Sequence, residues 1–266
     1  MMKRGEKEMR RQFKMVANVL LLCGLTAYVN PLAGGIKASE SGIAVQDKAK
    51  KENHKEQMDA YAAVLKGIYY QHKYPDGQDC GFNDFGDVSE NQFAIYDVDG
   101  DGKDELIIEV TTTCTAGMCV SVYSFDEITH VIREEFREFP LLTIYQNGFI
   151  KAGWSHNQGL AGEFWPYTLY QYQPENDSFV VIGEVDAWDK ALRQTDYEGN
   201  AFPDILDKDG NGLVYFVTMI GEGKDTSMID DAEYFLWLNG YLGNAQELVV
   251  PYKKLTEENI VGIIGQ

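Results

Sequence analysis

The chain is organised around residues 93–110, which read FAIYDVDGDGKDELIIEV. β-Branched and aromatic residues flank a short acidic segment, and such residues favour extended strands on both sides of it. Glycines inside the segment allow the positive φ that a tight turn requires. The stretch therefore predicts two strands joined by a compact acidic loop.

Acidic side chains recur at alternate positions of this loop. The loop begins with Asp97, and further acids stand at its third, fifth and ninth positions: Asp99, Asp101 and Glu105. The carbonyl of Lys103 adds an oxygen at the seventh position. Because Ca²⁺ collects about six to eight oxygen ligands, the spacing predicts a calcium site made by these five residues.

The loop is not an EF-hand. An EF-hand has a bidentate Glu at position twelve and continues as a helix, whereas this chain has Ile108 there, inside the β-favouring run 106–110. A plain hairpin turn is the alternative, because Asp and Gly dominate such turns. The crowding of acids around one lysine favours a bound cation over that alternative.

The pattern Asp-x-Asp-x-Asp-Gly-x-x-Glu between two strands resembles the calcium loops of FG-GAP and VCBS repeats, the modules of integrin-type propellers found in secreted bacterial proteins. The resemblance covers about eighteen residues, and the usual ninth residue of that motif is Asp. It implies calcium binding at 97–105. A complete propeller is disfavoured, because the chain has one good motif and no self-similar blades.

The segment 1–38 is typical of an export signal. Six basic residues precede an apolar run at 15–32, and small residues follow up to Ala38, after which cleavage is expected. Because polar residues and Pro31 interrupt the run, no stable membrane span is expected, and an uncleaved anchor is the less favoured alternative. The sequence thus predicts a protein that is secreted or held at the cell envelope.

The part of the chain that would be exported is strongly acidic. Loss of seven basic and two acidic residues with 1–38 changes the net charge from −19 to −24. Such a surface disfavours nucleic acid and anionic lipid as partners. The expected partner is a glycan or another cell-surface component.

Downstream of the export signal, the pattern predicts a linker and then one domain. Residues 39–56 are polar, lysine-rich and without apolar periodicity, which predicts a flexible linker. A single domain is expected at 57–266. It opens with an amphipathic helix, because Met58, Tyr61 and Leu65 recur at three- and four-residue steps.

Beyond this helix, short β-rich runs separated by turn residues predict an antiparallel meander. The runs are 93–96, 106–113, 120–125, 130–136, 141–145, 149–154, 167–172, 179–185 and 213–220. Two C-terminal helices are expected at 230–238 and 256–264, the second with Thr256 as its cap. The predicted fold class is α+β, a mostly antiparallel sheet flanked by helices.

A second acidic segment, 207–212, echoes the first loop. Its first, third and fifth positions are Asp207, Asp209 and Asn211, but its ninth is Tyr215, so one carboxylate is missing. The pattern predicts a second metal site with an incomplete ligand set. A plain hairpin turn explains it equally well.

Two cysteines bracket a segment of hairpin length. Cys114 and Cys119 are separated by four residues, which predicts a disulfide across the turn in an exported protein. A bridge from Cys80 to either of them is an alternative, as are three buried thiols.

Aromatic residues suggest a ligand surface. Trp154, His156 and Trp165 lie in glycine-flanked loops and offer flat faces for sugar rings, although core packing is the commoner use of such residues. No catalytic residue is assigned. The main functional prediction is an exported, calcium-stabilised binding or structural module, and the alternative is a secreted hydrolase of polysaccharide or cell wall with a structural calcium.

Overall fold

The structure, a computed structural model, describes residues 40–82, 86–221 and 223–264. The chain divides into two compact units, Met1–Gln46 and Asp47–Gln266. All strands of the described part lie in the second unit. The export signal expected at 1–38 lies outside the described residues.

Helix α1 spans Glu40–Gln71. Met58, Tyr61 and Leu65 fall on one face and are buried, which confirms the predicted amphipathic helix. The sequence predicts a flexible linker at 39–56, whereas residues 40–56 lie in α1. Its lysine, glutamate, glutamine and alanine residues are strong helix formers, so the helix extends where apolar periodicity is missing.

Five strands form the first sheet in the order β11-β1-β2-β3-β4, and every neighbouring pair is antiparallel. Short 3-10 turns, Val88–Glu90 and Thr115–Gly117, precede β1 and β3. The strand bounds are β1 Gln92–Tyr96, β2 Glu105–Val110, β3 Cys119–Asp126, β4 Val131–Glu138 and β11 Lys253–Lys254.

Six strands form the second sheet in the order β10-β9-β8-β7-β6-β5, again with antiparallel pairs throughout. Strand β10 is absent from the sequence prediction, because its side chains are nearly all exposed and give no apolar alternation. The bounds are β5 Leu142–Tyr145, β6 Phe149–Gly153, β7 Tyr167–Gln173, β8 Ser178–Asp189, β9 Leu213–Ile220 and β10 Lys224–Ile229.

Strand β2 is buried on both faces. Leu106 and Ile108 belong to the core cluster that includes the buried face of α1. Ile107 points the other way and packs in a second cluster with Ile150 of β6. This double burial explains why 106–110 is a nearly continuous apolar run, since a strand with one solvated face would alternate.

Helix α2 spans Asp231–Leu242 and packs on the second sheet. The Tyr234 ring stacks on Tyr215 of β9 with centroids 4.0 Å apart. The Tyr234 hydroxyl lies 2.9 Å from the hydroxyl of Tyr167 on β7, so these two buried hydroxyls are paired.

Helix α3 spans Glu257–Val261. Thr256 is its N-cap, as predicted, since its hydroxyl accepts a hydrogen bond of 3.3 Å from the Asn259 N–H. The predicted fold class, α+β with mostly antiparallel strands and flanking helices, is confirmed. Within the described ranges, no helix has both the length and the apolar character that a membrane span requires.

Ile107→Ala should lower the free energy of unfolding by about 2–5 kcal/mol, because it opens a cavity between the two sheets. Val131→Ala on β4 serves as the control. Val131 is 56% exposed, and its truncation should change stability by no more than about 0.5 kcal/mol. Urea unfolding curves at one fixed calcium concentration measure both, and equal losses would contradict the placement of Ile107 in the inter-sheet core.

Candidate metal centre

The β1–β2 loop is shaped by hydrogen bonds from its own backbone to its carboxylates. Asp97 accepts from the N–H groups of Gly100, at 2.8 Å, and Gly102, at 3.1 Å. Asp99 accepts from Asp101 N–H at 2.9 Å, and Asp101 accepts from Lys103 N–H at 2.7 Å. These hydrogen bonds fix the path of the loop backbone around its carboxylates.

Two glycines make this path of the backbone accessible. Gly100 and Gly102 have φ of 82° and 89°, in the left-handed region that L-residues with a side chain rarely adopt. The loop is also attached to α1, since Gln57 Nε2 and Tyr61 Oη each donate to the Asp104 carbonyl at 2.8 Å.

Three of the predicted ligands come together in the loop. Asp97, Asp99 and Asp101 each offer a carboxylate oxygen within 4.8 Å of the others. The Lys103 ammonium lies 3.5 Å from Asp101 Oδ2, so it offsets part of the negative charge. Ligation by the Lys103 carbonyl stays a prediction.

Glu105, the fifth predicted ligand, lies at the base of the loop. It is 2% exposed, and its Oε2 accepts a hydrogen bond of 2.9 Å from Val98 N–H. Burial raises its pKa to about 9, and the nearby negative charge of Asp99 adds to the shift. Glu105 is not among the three carboxylates that gather around Asp97, so its ligand role also stays a prediction.

A second group of carboxylates lies beside the loop and was not predicted. Asp99, Glu135 of β4 and Asp177 of the β7–β8 turn each offer an oxygen within 4.8 Å of the others. Asp99 is 7% and Glu135 6% exposed, while Asp177 is half-buried. Sequence reasoning missed Glu135 and Asp177 because they are distant in sequence from the loop and show no ligand spacing.

Burial dominates the electrostatics of this group. It raises the pKa of Asp99 to about 6 and that of Glu135 to about 8. The hydroxyls of Tyr172 and Ser124 lie nearby and lower these pKa values by less than burial raises them. A cavity of about 10 Å³, room for a single water-sized occupant, borders Asp177 and Glu105.

The second acidic loop, 207–212, repeats the turn pattern of the first. Gly212 N–H donates to Asp207 at 3.0 Å, as Gly102 N–H does to Asp97. The ninth position of this loop has no carboxylate. A third carboxylate near Asp207 and Asp209 comes instead from Asp230, the N-cap of α2. The positive end of the helix dipole disfavours a cation there, and a second ion stays a prediction.

Trp154, His156 and Trp165, the predicted ligand surface, lie in connected loops. Trp165 Nε1 donates to the Trp154 carbonyl at 2.7 Å, and Trp154 Nε1 donates to Thr168 Oγ1 at 3.0 Å. His156 is exposed, with Nδ1 3.1 Å from Ser155 Oγ. The structure therefore brings the two tryptophans together and leaves the histidine at the surface.

Cys114 and Cys119 are free thiols, in place of the predicted disulfide. The intervening residues form a 3-10 turn, and Cys119 pairs with Val110 in the β2–β3 ladder, so Cys114 is not its cross-strand partner. Cys119 is buried, with Sγ 3.1 Å from the Tyr74 hydroxyl, whereas Cys114 is exposed.

Fold and site define a two-sheet α+β domain with an acidic centre beside the β1–β2 loop, formed by Asp97, Asp99, Asp101, Glu105, Glu135 and Asp177. Comparisons with protein-family models, with curated proteins and with solved structures find no match to this chain. The resemblance of the first loop to FG-GAP and VCBS calcium loops stays a prediction.

Without a cation, the protein should lose stability as pH rises from about 5 to 9. The folded-state pKa values of Glu135, about 8, and Glu105, about 9, lie above the unfolded value of about 4.3. The stability that these two carboxyl groups contribute is therefore fully present below their unfolded-state pKa, and it is lost as pH rises through their folded-state pKa values. Thermal unfolding of metal-stripped protein across this range measures the slope.

Glu135→Gln should flatten this pH dependence, and Glu175→Gln provides the matched control. Glu175 is exposed in the turn that contains Asp177, and its loss removes the same charge without touching the buried group. A slope that is equal in wild type and Glu135→Gln would contradict the role of Glu135.

Proposed function

We propose that this chain is an exported binding or structural module whose fold is stabilised by Ca²⁺ in the β1–β2 loop. The observation that carries the proposal is the convergence of Asp97, Asp99 and Asp101, whose oxygens lie within 4.8 Å of one another at the end of two strands. Their mutual repulsion disfavours the closed loop until a cation compensates it.

Calcium is the cation that the donors favour. All the proposed ligands are hard oxygens, and carboxylates with a carbonyl and water fill the irregular shell of about six to eight ligands that Ca²⁺ accepts. The proposed set is Asp97, Asp99, Asp101, the Lys103 carbonyl and Glu105. Because Glu105 Oε2 accepts from Val98 N–H, its other oxygen would be the proposed ligand.

The proposal places the protein outside the cytoplasm, where calcium is available to the loop. It rests on the basic and apolar segment 1–38 and on the acidity of the remainder. The proposed partner is a glycan or another cell-surface component, contacted through Trp154 and Trp165. Trp165 is 43% exposed, so part of its ring is open to such a partner. The hydrolase alternative stays a prediction.

Calcium should raise the melting temperature of the wild-type protein. Binding to the folded state alone adds about 2.7 kcal/mol at a hundredfold excess over Kd, which for a domain of this size is roughly 5–10 °C. Asp97→Asn should lose the part of this response that the loop ion contributes, because it removes a ligand charge. Differential scanning calorimetry of metal-stripped protein, with and without Ca²⁺, measures the shift.

Asp76→Asn is the matched control. Asp76 also shapes a turn by accepting from a backbone N–H two residues on, at 2.9 Å, but it is exposed and outside the acidic centre. Its variant should keep the full calcium response. Identical melting curves for wild type with and without calcium would overturn the proposed function.

A further inference from the structure

The three carboxylates of Asp99, Glu135 and Asp177 join parts of the fold that are distant in sequence. Asp99 and Glu135 belong to the first sheet and its loop, whereas Asp177 belongs to the turn between β7 and β8 of the second sheet. One oxygen of each lies within 4.8 Å of the others. A ligand held by all three would connect the two sheets directly.

A β-bulge places Glu135 in this group. In the β3–β4 ladder Val122 pairs with Phe136 and Tyr123 pairs with Glu134, so Glu135 is the extra residue without a partner. Regular alternation would turn Glu135 away from the side that Phe136 occupies, yet both residues are buried. Bulges of this kind re-aim a side chain, here a carboxylate toward the interior.

Three buried oxygens of the group accept no hydrogen bond from the described residues. Tyr172 Oη donates to Asp177 Oδ1 at 2.8 Å, and Ser124 Oγ donates to Asp177 Oδ2 at 3.2 Å. Each hydroxyl has one proton, and both are thereby used on Asp177. Asp99 Oδ2 and both carboxylate oxygens of Glu135 are left without a hydrogen-bond partner, on side chains more than nine-tenths buried.

Positive charge near the group is too small to balance it. The nearby ammonium of Lys103 lies 3.5 Å from Asp101 and interacts with Asp177 at longer range. Among the described residues, three carboxylates and Asp101 therefore share this one lysine. Because an unpaired buried charge costs several kcal/mol, the group requires a bound cation or bound protons.

We infer that Asp99, Glu135 and Asp177 bind a divalent cation of their own, a hard ion of the Ca²⁺ class, between the two sheets. The hydroxyls of Tyr172 and Ser124 orient Asp177, as outer-shell hydrogen bonds orient metal ligands elsewhere. This ion does not depend on an ion in the 97–105 loop, although both positions share Asp99.

Calcium stoichiometry of metal-stripped protein tests the inference, measured by equilibrium dialysis and titration calorimetry with Ca²⁺ alone. Glu135→Gln should bind one ion fewer than wild type and retain the remaining binding. Asp177→Asn should behave in the same way, and asparagine tolerates the positive φ of 49° at this position. Glu175→Gln, two residues from Asp177 in the same turn, should bind as many ions as wild type.

Further variants separate this inference from the proposed function. Asp97→Asn should also lose one ion, while Glu135 and Asp177 continue to bind theirs. If wild type binds one ion that Glu135→Gln loses and Asp97→Asn retains, the inter-sheet site stands and the loop site fails. If Glu135→Gln and Asp177→Asn bind as many ions as wild type with unchanged affinity, the buried group holds protons and the inference is overturned.

The melting temperature of metal-stripped protein shows whether a substitution perturbs folding. Removing an uncompensated buried carboxylate should leave the melting temperature of metal-stripped Glu135→Gln equal to or above that of wild type. A single ion lost in both Glu135→Gln and Asp97→Asn would mean that loop and inter-sheet group form one site, which would overturn the separate position.

Discussion

The burial of β2 on both faces is the constraint on which the rest of the structure depends. Leu106 and Ile108 pack with α1, and Ile107 packs with the second sheet, so one strand joins three layers. A shift of one residue in its register would exchange these faces and place Glu105 or Glu109 where an apolar residue is needed. The position of the loop that precedes β2 is therefore fixed by packing.

That rigid position explains how the domain tolerates buried acids. Glu105 starts β2 and cannot turn outward without moving Leu106, and the bulge at Glu135 is fixed in the same way by the burial of Phe136. Packing of this kind stabilises the fold by several kcal/mol per side chain, comparable with the cost of an uncompensated carboxylate. The acidic centre is thus held in place by apolar neighbours and depends on a cation or protons to offset its charge.

Local patterns in the sequence predict helices and strands well where the burial of each residue follows a regular spacing along the chain. The strands around 93–110 and the face of α1 with Tyr61 follow from periodicity, and the Asp97 loop follows from its spacing. Strand β10 is exposed and has no pattern to detect. Helix α1 extends through 40–56 because helix propensity there needs no apolar face.

Two residues of the acidic centre, Glu135 and Asp177, escape sequence reasoning for a different reason. Glu135 faces inward only because the β3–β4 register shifts at that point, and Asp177 reaches it only because two sheets pack face to face. Both features depend on contacts between residues that are distant in sequence. A pattern search finds ligands spaced along one loop, and it cannot find ligands that separate strands contribute.

The geometry links the proposed ions to the predicted export of the chain. Loop carboxylates such as Asp97 are close in sequence, so the proposed loop site would need no contact between the sheets. The group formed by Asp99, Glu135 and Asp177 exists only after the two sheets have docked, so its ion would report completed folding. If the chain is exported as proposed and meets calcium only then, the ion at Asp99, Glu135 and Asp177 would stabilise the contact between the two sheets after export.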